Sequence, residues 1–332
     1  MSHAPAPDGR DAGDALPAGH WASIAESTCV WGIWALYGIH RLFGRALFRA
    51  VLYPVVFYYW LTRPHARRAS LDYLRRVHAA NGAAGPLPGW RDTLGHMLGF
   101  GETLLDKMLA MGGRYRFGNV RREGHEVLLG QIASGKGGII VTAHMGCLEL
   151  CRALASRHEG LRLNVLVHTM HAQRFNNILA RLDPNANLRL IQVTEIGPAT
   201  ALLLERKVAA GEFVAIAGDR VPVAGGRTVT VPFLGAPARL PIGPYALAAL
   251  LGCPLYAMGC VRDGDGYLLR FTELARQVSL PRKGREEALA FYGVRYAQWI
   301  ADLLKKSPRD WFNFYPFWEG DGQAGAATQQ TP

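Results

Sequence analysis

The segment TAHMGCLELC, residues 142–151, runs from a buried-strand pattern into a helical one and carries His144 and Glu149 with four residues between them. A neutral imidazole at such a strand-to-helix switch can take the proton of a hydroxyl. A carboxylate one turn into the helix can return to the imidazole and hold its tautomer. Free backbone N–H groups at the helix start can receive an oxyanion. The spacing alone says little, because His3 and Asp8 repeat it in a Pro- and Gly-rich tail. Context separates the two, since only His144 follows an apolar strand. The plain alternative is a core histidine beside a helix-capping glutamate. Cys147 and Cys151 lie three and seven positions after His144. They permit a Cys–His nucleophile or a three-ligand metal site. Cysteine is more often a small buried hydrophobe, so no metal is expected.

A second unusual stretch is AGDRVPVAGGRTVTVPFLGAPARLPIGP, residues 217–244. Asp219 and Arg220 follow the apolar run EFVAIAG, on the same side as His144. Gly225, Gly226, Arg227 and Arg239 come after them. This loop binds phosphates or covers an acyl channel on one reading, and is a surface hairpin on the other. GQIASGKG, residues 130–137, fails as a phosphate loop: Gly137 stands where a hydroxyl is needed, and a strand follows where a helix should. It reads instead as a helix end and turn. SPRDWFNFYPFWEG, residues 307–320, is dense in aromatic residues and suits closure of a core or an interfacial anchor.

These positions need a scaffold. Beyond about residue 115, short β-rich runs alternate with helical ones. Strands are expected at 137–143, 163–168, 188–193, 212–218 and 253–261, and helices at 147–158, 174–182 and 199–211. The fold class is therefore α/β, a mainly parallel sheet flanked by helices, which puts ligands at the carboxyl ends of strands. Residues 64–112 read as amphipathic helices split by NGAAGPLPG. The segment 28–61 is the most apolar, rich in Trp and Tyr. It carries Arg41, Arg45 and Arg49 at helical spacing, a cationic stripe facing lipid phosphates. This suggests an N-terminal membrane-associated helical segment. The organisation is a disordered tail at 1–18, a membrane-associated segment at 19–63, a catalytic domain at 64–318 and a second disordered tail at 319–332.

The chain has 332 residues, 49% of them hydrophobic and 19% charged, which excludes disorder over its whole length. Its net charge of +11 points to anionic partners. Five cysteines without a CxxC exclude a disulfide framework or a zinc ribbon. No signal peptide and no run of 18 apolar residues is expected. With no recognisable motif, nucleic acid is not expected as a partner.

Taken together, His144 and Glu149 after GGIIVTA, then GEFVAIAGDR, TVTVPFLGAPARLPIG and the terminal DWFNFYPFW resemble the bacterial lipid A biosynthesis acyltransferases. These are the late lauroyl and myristoyl acyltransferases, within the lysophospholipid acyltransferase superfamily. The resemblance covers about residues 20–318. It implies transfer of a fatty acyl group from acyl carrier protein to a hydroxyl of a lipid or glycolipid acceptor, without a metal or other cofactor. It also implies a membrane-embedded N-terminal helix and a site on the cytoplasmic face of the bacterial inner membrane. Carried over, His144 is the base and Glu149 its partner, and Asp219 matches the acidic residue after the central strand. Asp219, Arg220, Arg174 and Arg239 stand as substrate-binding candidates. Arg220 departs from the Gln usual in the family. The Arg-containing segment between the two motifs is represented only by VHTMHAQRFNN, with Arg174, so the acceptor stays open. The rival readings are a thioesterase or lipid hydrolase using Cys147 with His144, and a non-catalytic membrane protein that binds carrier protein. The absence of G-x-S-x-G speaks against an ordinary serine esterase.

Overall fold

The structure is a computed structural model that describes residues 30–155, 161–167, 188–192, 197–221 and 226–318. The expected helix at 174–182 and both tails lie outside the described residues.

Three helices lead the chain: α1 (Val30–Thr62), α2 (Pro64–Ala80) and α3 (Trp90–Met111). α1 is two helices joined at Gly44, whose φ of 79° breaks the ladder. The strands and helices that follow are β1 (Val120–Glu123), α4 (His125–Ala133), β2 (Gly138–Thr142), α5 (Leu148–Ala155), β3 (Leu163–Val167), β4 (Leu188–Gln192), α6 (Pro198–Ala209) and β5 (Phe213–Ala217). Then come β6 (Thr228–Phe233), β7 (Ala236–Pro241), α7 (Gly243–Leu250), β8 (Leu255–Asp263), β9 (Gly266–Ala275) and α8 (Arg285–Lys306).

The main sheet has the order β1-β9-β8-β2-β5-β3-β4. All its pairings are parallel except β8 with β9. The mainly parallel α/β reading therefore holds. β6 and β7 form a separate antiparallel hairpin.

β2 sits centrally between β8 and β5, and its sequence explains why. Ile139, Ile140 and Val141 are each at most 1% exposed. A strand covered on both faces needs apolar residues at consecutive positions, not alternate ones. Ile139 and Val141 join the core formed with α6, α7 and α8. Ile140 points to the opposite core, with Leu128 of α4 and Leu150 of α5. Burying each such side chain stabilises the fold by roughly 1.5–3 kcal/mol.

The N-terminal helices differ from expectation in one respect. Arg45 and Arg49 do not stand as free charges: both are partly exposed, yet each is paired with a carboxylate of α3. Arg49 pairs with Glu102 at 2.9 Å, and Arg45 with Asp106 at 3.1 Å. Glu102 and Asp106 belong to the buried face of α3, and buried carboxylates need cationic partners. Apolar side chains share the outer surface with them: Leu42, Phe43, Leu47, Tyr58 and Leu61 are exposed. Among the described residues, no helix is long and apolar enough to cross a membrane.

Candidate active site

The geometry starts from strand register. β2 and β5 run parallel, and Thr142 sits beside Ala217. The Gly218 N–H donates to the Thr142 carbonyl at 2.9 Å, which carries the pairing past the strand ends. Two residues beyond Thr142 is His144, and two beyond Ala217 is Asp219. The shared register thus sets them side by side. His144 Nδ1 donates to Asp219 Oδ1 at 2.8 Å, and the His144 backbone N–H donates to Oδ2 at 2.8 Å. The carboxylate can only accept, so it fixes the proton on Nδ1 and leaves Nε2 with a free lone pair.

Other groups hold this pair. Trp311 donates its indole N–H to Asp219 Oδ2 at 2.9 Å. Met145 forms an isolated β-bridge with Trp311, and the Phe312 N–H donates to the His144 carbonyl at 3.1 Å. The terminal segment is braced in turn by α2 and α3. Tyr73 donates to the Pro308 carbonyl, and His96 Nε2 donates to the Trp311 carbonyl. The aromatic terminus is therefore core closure, and through Trp311 it also belongs to the site.

The loop after β2 is tightly fixed. Gly146 adopts φ 49°, and a Cβ there would lie 1.6 Å from the Cys260 carbonyl oxygen. Only glycine fits. The Met145 N–H donates to the Ala143 carbonyl, the Gly146 N–H to Asp310, and the Cys147 N–H to Cys260. The backbone donors from His144 to Cys147 are all engaged within the protein. These four therefore offer no free N–H to an oxyanion, and the helix itself begins one residue later, at Leu148.

Burial pushes the His144 imidazole below its ordinary value, the Arg220 charge lowers it further, and Asp219 partly opposes both. The imidazole therefore stays neutral at physiological pH. Its ring is walled by protein, yet the side chain is 41% exposed, so one face opens outward. For Asp219, burial favours the neutral acid, but His144, Arg220 and Trp311 outweigh it and hold the carboxylate far below its usual range. A neutral histidine oriented by an ionised carboxylate is suited to general-base work.

Glu149 has a different partner from the one expected. It lies in the first turn of α5, buried, and pairs with Lys107 of α3 at 3.1 Å. The orienting carboxylate on Nδ1 is Asp219. A helical carboxylate seven residues beyond the end of β2 follows α5 toward α3, whereas Asp219 is held level with His144 by the sheet.

The other candidates separate. Arg220 flanks the pair: its guanidinium donates to the Phe312 carbonyl at 3.1 Å and lies over the Tyr315 ring. Arg239 is on the exposed side of the β6–β7 hairpin, bonded to Thr228, and makes no contact with His144 or Asp219. Arg174 lies outside the described residues. Cys147 is fully buried, and burial pushes its thiol well above the usual range. A buried thiol held in its neutral form is a poor nucleophile, which speaks against the Cys–His hydrolase. Among the described residues, no group of three or more His, Cys, Asp or Glu side chains is placed to hold a metal ion. Sequence reasoning missed Lys107 and His96. His96 carried no signal beyond its amphipathic helix, and Lys107 reads as an ordinary surface lysine until α3 is packed.

Fold and site together define an α/β enzyme with a histidine–carboxylate pair at the carboxyl ends of two central parallel strands. A family model described as bacterial lipid A biosynthesis acyltransferase matches residues 116–319. The chain belongs to that family and is an acyltransferase acting on lipid. The search of curated proteins finds no match.

Proposed function

We propose that this protein is a membrane-associated O-acyltransferase. It moves a fatty acyl group from acyl carrier protein to a hydroxyl of a lipid A-like or other glycolipid acceptor, at the cytoplasmic face of the inner membrane. The observation that carries the reading is the His144–Asp219 pair, in a chain of this family. His144 Nε2 takes the proton of the acceptor hydroxyl as its oxygen attacks the thioester carbonyl. The tetrahedral intermediate then expels the carrier thiolate, which takes the proton back from the imidazolium. Ester and free carrier thiol are the products, and Asp219 keeps the ring oriented throughout.

Two features support membrane association. The exposed apolar side chains of α1 and the neighbouring Trp90 would lie among lipid headgroups and upper acyl chains. α2, with Arg67, Arg68, Arg75 and Arg76, supplies cationic charge beside them. The net charge of +11 also suits an acidic carrier protein.

The test is reconstitution. Purified protein in detergent or vesicles is given dodecanoyl-acyl carrier protein and bacterial inner-membrane lipid, and products are read by mass. Acylated lipid that requires His144 supports the reading. Acyl transfer that is unchanged in His144→Ala would overturn it.

A further inference from the structure

We propose that Lys107, aimed by Glu149, is the cation that stabilises the oxyanion formed on the thioester carbonyl. The inference rests on the acyl-transfer reading above and adds a residue to it.

The attack described above pushes the carbonyl π pair onto oxygen, and that negative charge needs donors already in place. The usual source in such a loop is backbone N–H, but those of His144, Met145, Gly146 and Cys147 are all engaged within the protein. Those four residues leave no N–H for it, and a side-chain cation close to the imidazole can supply the charge. Two cations act on the imidazole, Arg220 and Lys107. The Arg220 head is turned to the Phe312 carbonyl and the Tyr315 ring. Lys107 differs. Among the described residues its hydrogen-bond and ion-pair partner is Glu149 alone, at 3.1 and 3.4 Å to the two carboxylate oxygens. An ammonium has three N–H donors, so at least one is left for a ligand.

α3 makes this placement possible. His96 on α3 holds the Trp311 carbonyl, and the same segment holds His144 and Asp219. Eleven residues further along α3, Lys107 reaches the first turn of α5, the helix that follows the His144 loop. Glu149 is 8% exposed and Lys107 18% at their side chains. The site then holds two pairs with separate tasks. Asp219 orients the base, and Glu149 aims an ammonium. Glu149 is a positioning residue, and Lys107 is the group that touches the reacting oxygen. No proton leaves Lys107: it donates a hydrogen bond while the oxyanion exists and loses that partner when the carbonyl re-forms.

The test uses the full-length protein, dodecanoyl-acyl carrier protein and vesicles of bacterial inner-membrane lipid, with release of the carrier thiol as readout. Lys107→Met is expected to lower kcat about 10²–10³-fold with little change in KM for the donor. Lys107→Arg should restore part of it. Because a single removal leaves Glu149 buried and unpaired, the double variant Lys107→Met/Glu149→Leu decides between the roles. If the pair is merely structural, removing both charges restores folding and turnover together. If Lys107 stabilises the oxyanion, the double variant folds and stays as slow as Lys107→Met. Loss of the cation should also raise the pKa of the acid limb of the rate profile, a limb set by His144 among Asp219, Arg220, Lys107 and Glu149. A double variant of near-native rate overturns the proposal. His144→Ala serves as the separate control: if it turns over normally, the acyl-transfer reading itself fails.

Discussion

His144 and Asp219 stand 75 residues apart in the chain, and the β2–β5 register carries the same offset, so the sheet itself delivers one to the other. The carboxylate accepts from the imidazole, from the backbone of the same histidine and from Trp311. Three donors on one buried carboxylate leave it no freedom of orientation.

The pair should act as a unit. His144→Ala and Asp219→Asn are each expected to lower kcat by about 10³-fold or more, and the double variant by no more than the worse single one. Asp219→Asn turns an acceptor of three donors into an amide, so its folding must be checked by circular dichroism. Steady-state rates of the three variants decide the matter. Additive losses would show that the two residues act independently.

Trp311→Phe keeps the ring packing against Tyr73 and Phe233 but removes the indole N–H. Asp219 then lacks one of its donors. We expect a stability loss of about 1–3 kcal/mol and a smaller drop in rate than for Asp219→Asn. Denaturant titration beside a rate measurement gives both values.

Acid should unfold the protein early, and His96 is a main reason. Burial lowers its pKa from 6.5 to about 3, with Ser70 Oγ on Nδ1 at 2.8 Å and the Trp311 carbonyl on Nε2 at 3.0 Å. The unfolded chain binds this proton below about pH 6.5, while the folded protein resists it until about 3. Stability from this group is therefore complete above 6.5 and falls as pH drops toward 3, by roughly 5 kcal/mol in all. Chemical denaturation at stepped pH values measures the slope, and His96→Gln should flatten it. His144, also lowered, adds to the slope in the same direction and places the acid limb of activity below pH 6.5.

Two glycines give opposite expectations. Gly146→Ala drives a methyl into the Cys260 carbonyl at a positive φ and should cost about 3 kcal/mol or more. Gly99→Ala, in the interior of α3 with nothing within 4 Å of its Cβ, should raise stability by about 0.5–1 kcal/mol. Paired thermal melts compare them, and a tolerated Gly146→Ala would show that the loop can move.

Cys147→Ala separates a base mechanism from a thiol one. The side chain packs in the core beside Leu150 and Cys260. Turnover within about 3-fold of wild type is expected, with about 1 kcal/mol lost from the smaller side chain. A dead but folded Cys147→Ala would reinstate the thiol nucleophile.

Local patterns in the sequence determined a good deal. GGIIVTA and EFVAIAG announce central strands, because consecutive apolar residues suit a strand covered on both faces. The turn after GGIIVTA therefore marked His144, and the end of EFVAIAG marked Asp219. What the sequence alone could not state is which partner each takes. His144 and Glu149 are close in the chain, and helical spacing alone made Glu149 the natural orienting group. Asp219 takes that place because β-sheet register, a long-range property, sets it level with the imidazole. Glu149 pairs with Lys107 only once α3 lies along α5. The same holds for Arg45 and Arg49, whose spacing reads as a free cationic stripe until α3 packs against α1 and its carboxylates pair with them. Trp311 reads as one aromatic among many, and only the closing of the terminal segment on the loop after β2 brings its N–H to Asp219. Residue types and short-range periodicity fix which elements form. Hydrogen bonds and ion pairs between residues far apart in the chain depend on how those elements stack, and tertiary packing alone decided them.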